Sequence, residues 1–272
     1  MKLLGSLIVA SALLLAPLAQ AGETLDRVTK SGKMMVATNA AWPPQSYLDD
    51  SNQLVGYDID VANEIGKRLG AKVTFDTPDW GLMTGGRWGG RWDAAVGSIT
   101  PTKPRAQVLD FAGVYYYSPY IFAVHADSAI TDQKDLNGKK IGVETGTTSE
   151  DYINRRLEID APGVAPIQYW LEPGEVKTYA SSLLPFDDLR LGDGKRLDAV
   201  IAPEQTVMGA IKSGYPIKAL EGDYAFREPL VVVADKGDPE WTARLGEIIE
   251  QMRADGTLAT LTTKWYGKDY SK

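Results

Sequence analysis

The segment Gly97-Ser98-Ile99-Thr100-Pro101-Thr102-Lys103-Pro104-Arg105 sets three hydroxyls and two prolines just ahead of one arginine. A planar guanidinium can give a carboxylate two parallel charge-assisted hydrogen bonds. Ser98, the Thr100 hydroxyl and the turn's backbone N–H groups are further donors, and Gly97 leaves room for a ligand to approach the backbone. Such a set could grip a small anion. The same residues also fit a surface arginine after a proline turn.

A second hydroxyl-rich turn, Glu144-Thr145-Gly146-Thr147-Thr148-Ser149, leads into a helix expected to begin at Ser149. Free N–H groups at such a helix start favour an anion, and the same turn serves as an ordinary cap. Trp42 and Trp80 are flat apolar walls that tolerate cations, or plain core residues. The repeat GGRWGGRW, Gly85–Trp92, stacks Trp88 over Trp92 if helical. Its glycines disfavour a regular helix, so packing is the plainer role. It is no phosphate loop, because no Gly-Lys-Ser/Thr follows. His125 is the single histidine and there is no cysteine, so thiol chemistry and histidine-rich metal sites are excluded. No cofactor and no metal are expected.

The elements that must position these residues read as α/β. Lys33–Asn39, Lys72–Phe75, Asp93–Ile99, Tyr120–Val124, Lys140–Val143, Leu197–Ile201 and Leu230–Ala234 are expected strands. Asp58–Leu69 places Ile59, Ala62, Ile65 and Leu69 on one helical face, with Gly70 as its stop. Asp238 caps a helix with Pro239 in its first turn, and Trp241, Leu245, Ile248, Ile249 and Met252 form its core face. Strand, helix and strand in succession imply a parallel βαβ sheet.

Residues 1–21 read as a secretory signal peptide: Lys2, an apolar run, then Ala19-Gln20-Ala21 as the cleavage motif. The net charge of the 272-residue chain is -7. That argues against nucleic acid or an anionic membrane as partner. With no cysteine there is no site for a lipid anchor, so the expected location is free in a Gram-negative periplasm, as a monomer.

Three segments carry a resemblance: GYDIDVANEIGKRLG, DAAVGSITPTKPRAQVLDFAGVYYYSPY and LNGKKIGVETGTTSEDY. In order and spacing the mature chain resembles the family 3 extracellular solute-binding proteins, the periplasmic receptors of amino-acid ABC importers. The resemblance implies a two-lobed type II periplasmic binding protein with two crossing hinge strands. Residues 22–117 would form lobe 1, residues 118–233 the hinge strands and lobe 2, and residues 234–272 helices returning to lobe 1. The crossings fall near Ser118–Val124 and Pro229–Ala234.

The resemblance also implies roles. Arg105 would hold the ligand's α-carboxylate with Ser98 and Thr100, and Thr147 and Thr148 would close on it from lobe 2. Trp42 and Trp80 would sandwich the ligand. The implied partners are a small carboxylate ligand, such as a polar amino acid, and a membrane ABC permease. Two departures weaken recognition of a standard α-ammonium: Pro203 stands where the family usually has an aspartate, and Asn39 where relatives that bind cationic amino acids carry an acid. Glu144 faces the cleft mouth and could meet a ligand cation. The stretch Gln168–Lys195 is longer than usual and could reshape the cleft. Two alternatives share the fold: a cyclohexadienyl-dehydratase-like enzyme, and a presenter of ligand to a sensor kinase. The enzyme lacks its carboxylate, because Thr206 occupies the expected position.

Overall fold

Two long antiparallel strands, Leu109–His125 and Phe226–Asp235, run side by side through the middle of the molecule. The computed structural model describes residues 22–272, and the signal-peptide reading lies outside the described residues. Together the two strands join a nine-stranded sheet. On one side, Phe226–Asp235 pairs with Ala94–Ile99, which continues in parallel to Lys33–Ala37 and Lys72–Asp76. On the other, Leu109–His125 pairs with Ala199–Pro203, which continues in parallel to Lys140–Glu144 and Glu175–Tyr179.

Each half builds its own core from the alternation of strand side chains. In lobe 1, Val36, Ile65, Trp241, Leu245 and Ile248 pack on one face of the sheet, and Met83, Trp88, Trp92 and Val233 on the other. In lobe 2, Tyr120, Phe122 and Val124 face one cluster while Ile121 and Ala123 face its opposite. Full burial of one such side chain contributes about 1.5–3 kcal/mol. The chain passes between the lobes where Phe226–Pro229 pairs with Tyr117–Tyr120. Val231 and Val233 already pair with Ile99 and Ala95 of lobe 1.

The helix Tyr57–Leu69 buries Ile59, Ala62 and Ile65 as its periodicity predicts, and Gly70 ends it in the left-handed conformation. Asp238 caps Pro239–Ala254 by accepting the Trp241 N–H at 3.1 Å. The Gly85–Trp92 repeat is not helical. Gly86, Arg87, Gly89 and Gly90 take positive φ, and the two tryptophans meet edge-on at 5.6 Å in the lobe 1 core. Among the described residues no helix is long and apolar enough to cross a membrane.

Candidate functional site

Arg105 lies in the short helix Lys103–Ala106, whose N-cap Thr102 accepts the Arg105 backbone N–H. Its guanidinium is buried at the seam of the lobes. Nη1 donates to the Thr100 carbonyl at 2.9 Å, and Nη2 donates across the cleft to the Gly146 carbonyl at 3.2 Å. The guanidinium also lies over the Trp80 ring, 5.3 Å from its centroid. Trp80 Nε1 donates to the same Gly146 oxygen at 3.0 Å. Burial lowers the arginine's pKa, while nearby Glu228 and Asp151 pull it back up. It stays charged, as arginine does in proteins.

Trp42 stands beside Trp80, edge to face at 6.2 Å, so the two rings form a corner rather than two parallel walls. Its Nε1 donates at 3.0 Å to the hydroxyl of Thr206 in lobe 2. Trp42 lines a small cavity with Glu144, Thr147, Tyr120 and Pro203. Ser182 and Pro185, from the long Gln168–Lys195 stretch, complete its rim. The cavity measures ≈ 20 Å³. That is room for about one water, so a larger ligand enters only when the lobes part. Burial raises the Glu144 carboxyl to about 7. Thr147 donates its hydroxyl to the Glu144 carbonyl at 2.7 Å, and the helix starts at Thr148, one residue earlier than expected.

Three of the candidate residues, Ser98, Gly97 and Asn39, are engaged within lobe 1. Ser98 takes φ 51° inside a strand, and its polar groups serve lobe 1. Its N–H donates to the Tyr115 hydroxyl at 2.8 Å, its hydroxyl donates to the Asp58 carboxylate at 2.9 Å, and the Tyr116 hydroxyl donates to it at 2.7 Å. Left-handed serine costs about 1–2 kcal/mol, so these bonds hold a strained turn in place rather than a ligand. Gly97 packs against a side chain of lobe 1: a Cβ there would sit 2.9 Å from Met83 Cε, which would have to move aside. Asn39 spends its side-chain oxygen on the Ala41 N–H at 2.7 Å in its own loop.

Sequence reasoning passed over Glu228. It is buried on the second crossing strand, with the hydroxyls of Thr100, Thr148 and Tyr120 around its carboxyl. Burial pushes it up to about 7, against the pull of those hydroxyls and Arg105. Oε2 has no partner within hydrogen-bond distance. The signal was present as the charged residue in FREPL, but the strand was read to begin at Leu230. Asp58 was also missed as the support of the Ser98 turn: an acid in a helix's first turn suits the helix dipole, and nothing local marks this one as buried. His125 is buried at the end of the first crossing strand, where its Nδ1 accepts the Asp127 N–H at 3.2 Å. Among the described residues no cluster of three or more His, Cys, Asp or Glu could hold a metal.

The profile of the bacterial extracellular solute-binding proteins, family 3, matches residues 34–268. The chain belongs to that family. It is 27% identical over 250 residues to the L-cystine-binding protein TcyJ of Escherichia coli, covering 91% of this chain and 88% of that one. It is 28% identical to the L-arginine-binding protein of Pseudomonas aeruginosa, covering 94% and 96%. Among solved structures, an ancestral arginine-binding protein bound to glutamine matches with TM-score 0.73 at 29% identity, over 87% of this chain and 99% of that one. The ancestral amino acid-binding protein AncCDT-1, a precursor of cyclohexadienyl dehydratase, matches with TM-score 0.75 at 28% identity, over 90% and 100%. These relatives are named as binding proteins, and this family 3 member is likewise a solute-binding protein of the type II two-lobed fold rather than an enzyme.

Proposed function

We propose that the chain is the periplasmic receptor of an amino-acid ABC importer and that it takes its ligand by the carboxylate at Arg105. The observation that carries this reading is the buried guanidinium at the lobe seam. Two of its five N–H donors meet the carbonyls of Thr100 and Gly146, and the remaining three can serve a carboxylate. Thr148 supplies a hydroxyl from lobe 2, Thr147 can do so only by giving up its bond to the Glu144 carbonyl, and Trp80 backs the guanidinium. Trp42 and Glu144 line the part of the cleft open to the ligand's side chain. Glu144 favours a polar side chain with a donor or cation, in keeping with relatives named for cystine and arginine.

In this reading residues 1–21 are removed on export and the mature protein is a monomer that starts at Gly22. Binding shifts an open–closed equilibrium toward the closed form, whose joint surface of both lobes docks on the permease. A thermal-shift screen over amino acids including L-cystine and L-arginine, polyamines and organic acids tests it. One or more amino acids should raise Tm, since a ligand at 1,000 Kd stabilises by about 4 kcal/mol. A rise with polyamines alone would sink the carboxylate grip.

A further inference from the structure

We propose that Glu228 receives the ammonium group of the ligand whose carboxylate rests on Arg105, replacing the acid that position 203 lacks. The proposal rests on the amino-acid reading above and names a residue outside its carboxylate grip. Glu228 pairs with Ser118 in the register of the two crossing strands, where the chain passes between lobes. It is 1% exposed, so it has almost no water to solvate a charge. No ion pair to it forms among the described residues, and Arg105 acts on it only through space.

Its surroundings are built for polar contact. The hydroxyls of Thr100, Thr148 and Tyr120 surround the carboxyl, and Tyr120 reaches on to line the cavity beside Thr147 and Pro203. Ser118, directly across the ladder, donates to Gln205 Oε1 at 3.0 Å, which leaves Gln205 Nε2 buried without a partner. One unmet acceptor and one unmet donor thus flank the same strand pair. Burying a carboxyl oxygen without a partner is costly, and a charge is tolerated when paired and hydrogen-bonded. A zwitterion supplies both signs: its carboxylate neutralises Arg105 and its ammonium satisfies Glu228 Oε2. Pro203 carries no charge and no N–H, and its strand pairs with Tyr120 on the wall next to this carboxyl.

The test compares each amino acid with the same acid bearing hydrogen in place of the α-amino group. The pairs are L-arginine with 5-guanidinopentanoate, L-cystine with 3,3′-dithiodipropionate, and L-glutamine with 4-carbamoylbutanoate, titrated calorimetrically into wild type and Glu228→Gln. In wild type the amino acid of the binding pair should be favoured by about 30-fold or more, and in the variant by about 3-fold or less. Arg105→Ala should weaken both members of the pair. If Glu228→Gln weakens both members equally, or neither, Glu228 is structural and the proposal falls while the receptor reading stands. Where the thermal-shift screen selects another amino acid, that acid and its des-amino analogue form the pair, and a wild type that binds no amino acid overturns both readings. Should Glu228→Gln not fold, Glu228→Asp, which retracts the carboxylate by one methylene, must lose affinity for the amino acid selectively. Equal loss for both members would overturn the proposal.

Discussion

Arg105 Nη2 of lobe 1 lies 3.2 Å from the carbonyl oxygen of Gly146 in lobe 2. That oxygen also accepts the Trp80 indole N–H, and the guanidinium rests over the same indole. Gly146 takes φ +73°, and a Cβ there would sit 3.6 Å from Trp80. In the proposed reading, ligand grip and lobe closure share this one contact. A carboxylate brought to Arg105 meets a group already tied to the opposing lobe.

Trp80 meets Arg105 through its face and Gly146 through its N–H. Trp80→Phe keeps a ring for the guanidinium and removes one hydrogen bond, worth about 0.5–1.5 kcal/mol. Trp80→Ala also removes the cation–π contact, about 0.5–2 kcal/mol. Calorimetric titration should show a few-fold loss of affinity for the first and about tenfold or more for the second. Equal affinities for both variants and wild type would remove Trp80 from the site.

Thr206 in lobe 2 accepts hydrogen bonds from Trp42 at 3.0 Å and from Gln45 at 3.4 Å, both in lobe 1. Thr206→Val keeps the shape and leaves the buried indole N–H without an acceptor when the lobes are shut. The closed form loses about 1–3 kcal/mol, so affinity should fall about fivefold or more. The open lobes are untouched, so the Tm of ligand-free protein should move little. A large drop in that Tm with unchanged affinity would contradict the assignment.

Asp58 is a lever on stability rather than on binding. It is fully buried, and burial raises its carboxyl to about 7, against the hydrogen bonds from Tyr115 and Ser98. The unfolded value is about 3.9. The folded state therefore holds the proton more tightly, and stability falls as pH rises from about 4 to about 7, at up to about 1.4 kcal/mol per pH unit for this group. Above pH 7 its contribution is flat. Glu144 and Glu228 have raised values too and add to the same slope. Denaturant melts of Asp58→Asn across pH 4–8 should show a shallower decline than wild type. An unchanged slope would mean that Asp58 does not carry this proton.

Much of this was legible in the sequence. Hydrophobic alternation located seven of the nine strands of the main sheet, and the Gly70 and Asp238 signals two of the helices, because both depend on local chemistry; Glu175–Tyr179, Ile217–Ala219 and the Leu109–Pro119 part of the first crossing strand went unread. The arginine turn and the GTTS turn were legible as donors, and the structure sets them on facing sides of one cleft. What failed was direction. Ser98 and Thr100 are two residues apart and would share a strand face in regular geometry. The left-handed φ at Ser98 breaks that alternation and turns its hydroxyl toward Asp58, a residue 40 positions earlier in sequence. Gly97 looked permissive for a ligand, but the space it leaves belongs to Met83, from a segment that local reading cannot place. Glu228 went unread because a charged residue at the end of an apolar strand resembles a solvated edge. Only the pairing with Ser118 puts it at the crossing.

The most direct measurement is calorimetric titration of wild type and Arg105→Ala with the amino acid that most raises the wild-type Tm. Removing the guanidinium strands a carboxylate in a closing cleft, at about 2–5 kcal/mol, so the variant should bind at least about 30-fold more weakly while its ligand-free Tm stays close to wild type. Affinity within about twofold of wild type, in a variant that folds normally, would mean that the ligand's negative end is held elsewhere.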